Sequence, residues 1–248
     1  MQKKIRIGTR KSMLALVQTN IVKEKILEAF PDLEVEIAEL STQGDEQLDR
    51  SLTSFGGKGV FTQELEDALL QGEIDLAVHS AKDMPMEFAK GLGIGAALTR
   101  GPVEDVVVTL DGTRLKDLKP GSVVGTGSLR RELQIRKVNP LIQVKMIRGN
   151  VQTRLRKLSE GQYDAIILAA AGLKRLEMAS GGEYFFEHLD PSVCLPAAGQ
   201  AILAVESRSG DMNLKEILER INDPEAFVCL SAVSYTHLRA NETAANLV

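Results

Sequence analysis

The chain of 248 residues is 44% apolar and 26% charged, with a formal net charge of −4 at pH 7. These values predict a folded globular protein of two ordinary domains and exclude a collagen-like or largely disordered chain. The acidic balance argues against a general nucleic-acid binder, and no segment approaches the run of about 18 apolar residues that a membrane helix needs. Because the first residues lack the apolar core of a signal peptide, a cytoplasmic location is expected.

The first part of the chain alternates strand and helix patterns, which is typical of a largely parallel sheet with helices on its faces. Strands are predicted at 5–8, 35–40 and 74–78, and helices at 12–30 and 62–70. Arg10 and Ser12 therefore lie at a predicted helix N-terminus. Unpaired N–H groups and the helix dipole make such a terminus suitable for a carboxylate or phosphate.

A second series follows the glycine-rich stretch 91–101, which is interpreted as a crossing between domains. Strands are predicted at 106–110, 122–125, 142–147 and 164–171, and helices at 129–138 and 151–158. A second crossing is predicted at 195–200, before a strand at 201–205. Two crossings indicate an α/β protein with two doubly wound lobes joined by a two-strand hinge, an architecture shared with periplasmic binding proteins.

A lysine and an aspartate, Lys82 and Asp83, follow directly on the predicted strand 74–78 and the residues His79-Ser80-Ala81. Ligands of open α/β sheets bind beyond the carboxyl ends of the strands, so this pair is a candidate active site. Alone, such a pair is more often a surface ion pair. His79 is expected to be a hydrogen-bonded core residue rather than an acid or base.

Basic residues are concentrated between Arg130 and Lys157, where nine Lys or Arg stand against one acid, Glu132. An acidic protein with one basic segment is expected to bind an anionic ligand there. The segment 125–131, GTGSLRR, places two hydroxyls and two arginines at a helix N-terminus, where a solvated basic first turn is the alternative. Arg148 and Arg154 repeat this arrangement after the next strand, whereas an exposed helix end explains Lys174-Arg175 equally well.

Two further features carry less information. The loop 56–61, GGKGVF, lacks the spacing of a Walker loop and is either a ligand-binding loop or a flexible surface lid. Cys194 and Cys229 have no metal-ligand or redox spacing with each other or with the three histidines, so they are interpreted as inert buried thiols and no metal site is expected.

Six motifs, taken in order and spacing, closely resemble porphobilinogen deaminase, also called hydroxymethylbilane synthase. They are GGKGVF, VHSAKDMP, GTGSLRR, RGNVQTRL, YDAIILAAAGLKRL and LPAAGQ. The resemblance covers residues 1 to about 232. It implies a monomeric enzyme of tetrapyrrole and heme biosynthesis that joins four porphobilinogen molecules head to tail into hydroxymethylbilane, with release of ammonia. The product grows on a dipyrromethane cofactor that is held by a thioether to a cysteine.

The resemblance also implies roles for individual residues. Asp83 is the catalytic aspartate, which holds pyrrole N–H groups and stabilises the cationic azafulvene left after deamination. The implied substrate ligands are Arg10, Ser12, Arg148, Arg154 and Arg175. The implied cofactor ligands are Ser80, Lys82, Thr126, Ser128, Arg130 and Arg131. Lys58 and Phe61 belong to the implied lid loop.

Three departures from the family pattern affect these expectations. Gln43 and Gly127 stand where the family usually has Arg and Ser. The expected domains are 1–98 plus 200–232, then 99–199, followed by a non-family tail at 233–248 that is expected to be disordered. The family's third α+β domain, with its cofactor-bearing cysteine, is expected to be missing, and neither Cys194 nor Cys229 stands in a matching motif. Low or absent activity of this chain is therefore expected.

Two alternatives remain open on the residues alone. A two-lobed solute-binding protein for a small anion has the same architecture, although its signal sequence is missing. Nucleic-acid binding through residues 130–157 is the weaker alternative, because this stretch has no Phe, Tyr or Trp on which bases could stack.

Overall fold

The computed structural model describes residues 4–41, 62–85, 87–178 and 182–232. The chain divides into two compact units, Met1–Arg100 with Ile202–Val248 and Gly101–Ala201. The crossings after Arg100 and Ala201 lie two residues beyond those expected at 98/99 and 199/200. The predicted lid residues Lys58 and Phe61, the departure at Gln43 and the tail 233–248 fall outside the described residues. No helix within the described residues is long and apolar enough to cross a membrane.

The first unit is built on a five-stranded mixed sheet. Its strands are β1 (Lys4–Arg10), β2 (Glu34–Leu40), β3 (Leu76–Ser80), β4 (Leu92–Ala97) and β10 (Leu203–Arg208). Strand β10 follows the second unit in the chain. The helices of the first unit are α1 (Met13–Ala29), α2 (Gln63–Leu70) and α6 (Met212–Ile221), with a further helical segment at 224–232. The strand order is β2-β1-β3-β10-β4, with β1 parallel to β2 and β3, and β10 antiparallel to both of its neighbours.

Alternate residues of β3 point to opposite faces of this sheet, and each face is covered by helices. Leu76 and Val78 pack with Ile26 of α1 and Ile217 of α6, whereas Ala77 packs on the α2 side. Because both faces are buried, the strand reads as a continuous apolar run in the sequence. The core thereby fixes β3, and the residues that follow it, in the middle of the sheet.

The second unit repeats this plan with shorter strands. Its strands are β5 (Asp105–Thr109), β6 (Val123–Gly125), β7 (Gln143–Lys145), β8 (Ala165–Ala169) and β9 (Phe185–Leu189). Its helices are α3 (Leu129–Val138), α4 (Val151–Ser159) and α5 (Ala170–Arg175). The strand order is β7-β6-β8-β5-β9, with β6 parallel to β7 and β8, and β5 antiparallel to β8 and β9.

The crossing after Arg100 falls at the end of the glycine-rich stretch 91–101, but most of this stretch forms the strand β4, which was not predicted. A Cβ at Gly95 would come within 2.7 Å of Leu218 Cδ1 and of Ser207 Oγ. Glycine is therefore required there by the close approach of α6 and β10, and does not break the strand. Sequence patterns do not distinguish these two uses of glycine.

Three other expectations need correction. Both sheets are mixed rather than largely parallel, since β10 and β5 run against their neighbours. The predicted strand 164–171 ends at Ala169, because the last apolar residues begin α5. Strand β9 and helix α6 were not predicted.

Candidate active site

Two neighbouring parallel strands of the first unit, β1 and β3, end at the same edge of the sheet, at Arg10 and Ser80. Ser12 caps α1, and its Oγ accepts a hydrogen bond from the Ala15 N–H at 3.2 Å. The Ser80 hydroxyl accepts a hydrogen bond from the Gln18 side-chain amide at 3.0 Å. The edge thus brings together Arg10, Ser12 and Ser80, with Arg10 ending the strand rather than starting the helix.

Lys82 and Asp83 lie on a single turn of 3₁₀ helix, Ala81–Asp83, directly after β3. Ala81 is buried, its N–H donates to the Ile202 carbonyl at 3.0 Å, and its own carbonyl accepts from the Met84 N–H at 3.2 Å. Both charged side chains are exposed. The backbone of the turn is therefore fixed to the sheet while the Asp83 carboxylate faces solvent.

His79 is a buried core residue, as expected, but its Nε2 does not form the expected hydrogen bond. Its Nε2 lies 2.9 Å from Oε2 of the fully buried Glu206 on β10, an ion-pair distance without hydrogen-bond alignment. Glu66 on α2 faces the same pair. Burial and then the charge of Glu206 raise the pKa of Glu66. A second acid therefore lies close to a buried one on this side of the sheet.

In the second unit, the carboxyl ends of β6, β7 and β8 share one edge with the first residue of β5. Asp105 lies there because β5 is antiparallel to β8 and pairs Asp105 with Ala169. Thr126 follows β6, and its Oγ1 accepts from the Ser128 N–H at 3.2 Å. Ser128 caps α3 through its Oγ, which accepts from the Arg131 N–H at 3.4 Å. This edge therefore carries Thr126, Ser128 and the start of α3.

Asp105 binds both arginines of the first turn of α3, which sequence reasoning missed. Its Oδ2 lies 2.7 Å from an Arg130 Nη2, and its Oδ1 lies 2.6 Å from Arg131 Nη2. Burial raises the pKa of Asp105, but the charges and hydrogen bonds of Arg131 and Arg130 outweigh it, so the pKa lies below its usual value. The available signal was an acid at the first position of an otherwise apolar strand.

Cys194 lies against this cluster. Its Sγ is 3.5 Å from Asp105 Oδ2, and the residue is almost fully buried. Burial, followed by the charge of Asp105, raises the pKa of its thiol. Because the thiolate is the reactive form, Cys194 has the environment of an inert structural cysteine. Cys229 is exposed.

The loop after β7 carries Arg148 and leads to Arg154 on α4. Gly149 has φ +110°, and a Cβ there would come 2.6 Å from Thr153, so glycine is required. Arg154 Nε donates to the Gly149 carbonyl at 2.8 Å. Arg148 has a buried terminal nitrogen, Nη2, with no hydrogen-bond partner among the described residues. A buried cationic donor of this kind needs an acceptor, which an anionic ligand would supply.

Arg175 ends α5, and its Nη2 donates to the Ala201 carbonyl at 2.7 Å. Burial lowers the pKa of its guanidinium from the usual value. Ala201 itself has φ +74°, in the left-handed region that favours glycine. Arg175 is thus a half-buried, anchored side chain rather than an exposed helix end.

Sequence comparison identifies the family of the chain. A family model described as "Porphobilinogen deaminase, dipyromethane cofactor binding domain" matches residues 5–216. The chain belongs to the porphobilinogen deaminase family. Porphobilinogen deaminase of Halalkalibacterium halodurans is 48% identical over 221 residues, covering 89% of this chain and 70% of the relative. Those of Syntrophobacter fumaroxidans and Chromobacterium violaceum are 48% and 47% identical, each covering 92% of this chain and 73% of the relative.

Membership makes the chain a hydroxymethylbilane synthase, a transferase of porphyrin and heme biosynthesis whose family uses porphobilinogen as substrate and dipyrromethane as cofactor. Among solved structures, the VFT2 domain of Bordetella pertussis BvgS matches with a TM-score of 0.54 at 18% identity, covering 93% of each chain. An arginine-specific periplasmic binding protein of Salmonella typhimurium matches with a TM-score of 0.50 at 12% identity, covering 93% and 99%. At these identities the likeness shows the two-lobed fold alone.

Proposed function

We propose that this chain carries the machinery that joins four porphobilinogen molecules head to tail into hydroxymethylbilane and releases ammonia. The observation that supports this most is that charged side chains are collected at the sheet edge of each unit. The first unit presents the exposed carboxylate of Asp83 on an anchored turn. The second unit holds the arginines of its edge on backbone carbonyls and on Asp105. A substrate with several carboxylates needs cations to bind them, and its cationic intermediate needs a carboxylate.

Asp83 is proposed as the catalytic residue. Its carboxylate would accept hydrogen bonds from pyrrole N–H groups and stabilise the positive charge that develops on the substrate as ammonia leaves. A carboxylate fixed in place before the reaction needs no reorganisation at that moment. The hydrogen bonds that hold Ala81 provide this fixed backbone.

The proposed substrate ligands are Arg10, Ser12, Arg148, Arg154 and Arg175. Guanidinium groups bind carboxylates in a bidentate manner, and the buried Nη2 of Arg148 is a donor that a substrate carboxylate would satisfy. Ser12 already accepts a hydrogen bond as the helix cap. A hydroxyl has one proton to donate in addition, so capping leaves Ser12 able to bind an anion.

The residues proposed to hold dipyrromethane fit a polycarboxylate. They comprise the hydroxyls and cations Ser80, Lys82, Thr126, Ser128, Arg130 and Arg131. When bound, the cofactor supplies the pyrrole end on which the product grows. The side chains of this unit contribute orientation, since Thr126 and Ser128 are fixed by the start of α3. Lys58 and Phe61 are proposed as the lid.

Neither cysteine of the 248 residues suits thioether attachment of the cofactor. Cys194 is buried with a raised thiol pKa, and Cys229 lies on the helical segment 224–232, outside the family motifs. Attachment therefore requires a cysteine outside these residues. We expect residues 1–248 alone to bind porphobilinogen but to turn it over slowly, as a cytoplasmic monomer with no membrane or nucleic-acid partner.

Intact mass after incubation with porphobilinogen, together with assay of uroporphyrin after oxidation, tests this proposal. The expected result is no stable increment of two pyrrole units and little uroporphyrin, with porphobilinogen binding that weakens as salt rises. An increment that disappears in Cys229→Ser would contradict the assignment of that cysteine. Tight sulfate binding without porphobilinogen affinity would instead favour the solute-binding alternative.

A further inference from the structure

Asp105 is the centre of a buried polar cluster in the second unit that no proposed step uses. Each of its oxygens takes one arginine, Arg130 on Oδ2 at 2.7 Å and Arg131 on Oδ1 at 2.6 Å. Gln200 Nε2 donates to Oδ1 at 3.0 Å, and Cys194 Sγ lies 3.5 Å from Oδ2. The carboxylate is fully buried. These contacts give Asp105 a complete set of partners supplied by the protein itself.

Each arginine is also fixed at a second point. Arg131 Nη1 donates to the Ile167 carbonyl at 3.0 Å, and Arg130 Nη1 donates to the Leu195 carbonyl. The side chain of Arg131 is 8% exposed, whereas that of Arg130 is 27% exposed. A guanidinium held at two points has a fixed plane. Arg130 therefore presents a preset edge to solvent, with Arg131 behind it.

The charge of the cluster also depends on Asp105. Two cations in the first turn of a helix are opposed by the helix dipole and by each other. One carboxylate between them leaves a net charge of one, and the Cys194 thiol stays neutral because burial, and next Asp105, raise its pKa. Asp105 lowers the positive charge of the site while fixing its geometry, so the two effects on anion binding have opposite signs.

We propose that Asp105 is a positioning residue for the carboxylate-binding site at the start of α3. It sets the orientation of Arg130 as the ligand-facing guanidinium and holds Arg131 behind it as a support. This inference rests on the proposed function, because it assumes that Arg130 binds a carboxylate of the dipyrromethane cofactor. Orientation, rather than the number of positive charges, then determines the affinity of the site.

Asp105→Asn separates orientation from charge. By charge alone, the variant gains one positive charge and should bind an anionic ligand more tightly. If Asp105 positions Arg130, binding of free dipyrromethane weakens by about tenfold instead, measured as Kd by calorimetry on the 248-residue chain. Binding that is unchanged or tighter would overturn the proposal.

A double-mutant cycle with Arg130→Met shows which idea fails. The expected result is that each single variant weakens binding about tenfold and that the double variant is no weaker than Arg130→Met by more than about twofold. If the losses of affinity in the two single variants multiply in the double variant, Asp105 acts independently of Arg130, and the inference is rejected. An unaffected Arg130→Met would instead reject the ligand role of Arg130 in the proposed function.

The matched control is Asp164→Asn, at the opposite end of β8 in the same sheet. Asp164 accepts a hydrogen bond from the Val123 N–H at 2.6 Å and has no proposed role in binding, so its loss should lower stability without changing Kd. An equal loss of affinity in this control would mean that instability alone explains both variants, and the proposal would be wrong.

Two further measurements keep the test decisive if Asp105→Asn folds poorly. Gln200→Leu removes one donor from the carboxylate and should weaken binding about threefold, in the same direction. In a Cys229→Ser background, Asp105→Asn should also lower the pKa of the Cys194 thiol, because the guanidinium of Arg130 then faces it without the carboxylate. Thiolate absorbance against pH measures this, and an unchanged titration would contradict the cluster geometry.

Discussion

Asp83 and Asp105 each lie at the edge of their unit's sheet where the parallel strands end, but they have opposite environments. Asp83 lies in the turn that follows β3, and Asp105 is the first residue of β5. Asp83 is exposed, whereas Asp105 is fully buried between two guanidiniums. The difference teaches that burial decides whether a carboxylate at such an edge is accessible to a ligand or is taken up by the protein's own arginines.

The largest effect expected from this comparison is the loss of turnover in Asp83→Asn. Asparagine keeps the shape of the side chain but removes the charge that would stabilise the developing cation, so turnover should fall by about a thousandfold with the fold intact. The measurement is ammonia release. It is made on residues 1–232 fused to the C-terminal part of a relative, so that the cofactor can attach.

The chain contains a close control for this variant. Asp117 also follows a lysine in a single 3₁₀ turn, Leu115–Asp117, and is exposed, but it lies in the other unit and outside the proposed site. Asp117→Asn should leave turnover within about twofold of the parent. Near-normal turnover in Asp83→Asn, or an equal loss in both variants, would show that the role given to Asp83 is wrong.

A smaller effect, on stability, is expected for Asp105→Asn. Removing one partner of a buried ion pair leaves charge without compensation and should cost about 3 kcal/mol of unfolding free energy at neutral pH. The folded-state pKa of Asp105 is lowered, so this contribution is present above the ordinary value of 3.8 and is lost as pH falls through the lowered pKa. Urea unfolding at several pH values measures it. A difference that persists at the lowest pH would contradict the ion-pair explanation.

Relief of backbone strain at Ala201 should stabilise the second unit by about 1 kcal/mol. Ala201 has φ +74°, and its carbonyl accepts from Arg175, so Ala201→Gly removes the strain and keeps the acceptor. Thermal unfolding measures the gain. Glu177→Gly, at φ 56°, is the matched variant and should gain a similar amount without any change near Arg175. A destabilised Ala201→Gly would show that the methyl group packs favourably enough to outweigh the strain.

The smallest expected effect concerns Glu66, a part-buried acid near Glu206. Its pKa is raised by burial and then by the Glu206 charge, so the ionised form costs stability at neutral pH. Glu66→Gln should raise the melting temperature by about 1–2 °C at pH 7. The gain should vanish as pH falls through the raised pKa and below the ordinary 4.5. A gain that is independent of pH would mean that charge is not its cause.

Local signals explain which parts of the fold could be predicted from sequence. Helix α3 was placed at its observed bounds because Ser128 caps it and Asn139-Pro140 stop it. The arginines after β7 were located because a strand and a glycine loop precede them. Strand β4 was missed because Gly95 was taken as a residue that interrupts a strand. In the structure, the close packing of Leu218 and Ser207 requires a glycine at this position.

The role of Asp105 depends on tertiary pairing and could not be predicted. An acid before three valines indicates the start of a strand. No signal in the neighbouring sequence indicates that this strand, β5, runs antiparallel to β8. That direction brings the residue to the edge where α3 begins, 25 and 26 positions before its partners. The charge pattern therefore predicted an anion-binding site at this edge, which stays a prediction, and it omitted the buried carboxylate that holds two of the arginines.

The contrast between the two cysteines makes the chain easy to label. A maleimide dye at neutral pH should react with exposed Cys229 and spare buried Cys194, whose thiol pKa is raised. One fluorophore can therefore be placed on the natural sequence without removing any residue. Its position on the helical segment 224–232 would make ligand-dependent changes in the first unit visible by fluorescence.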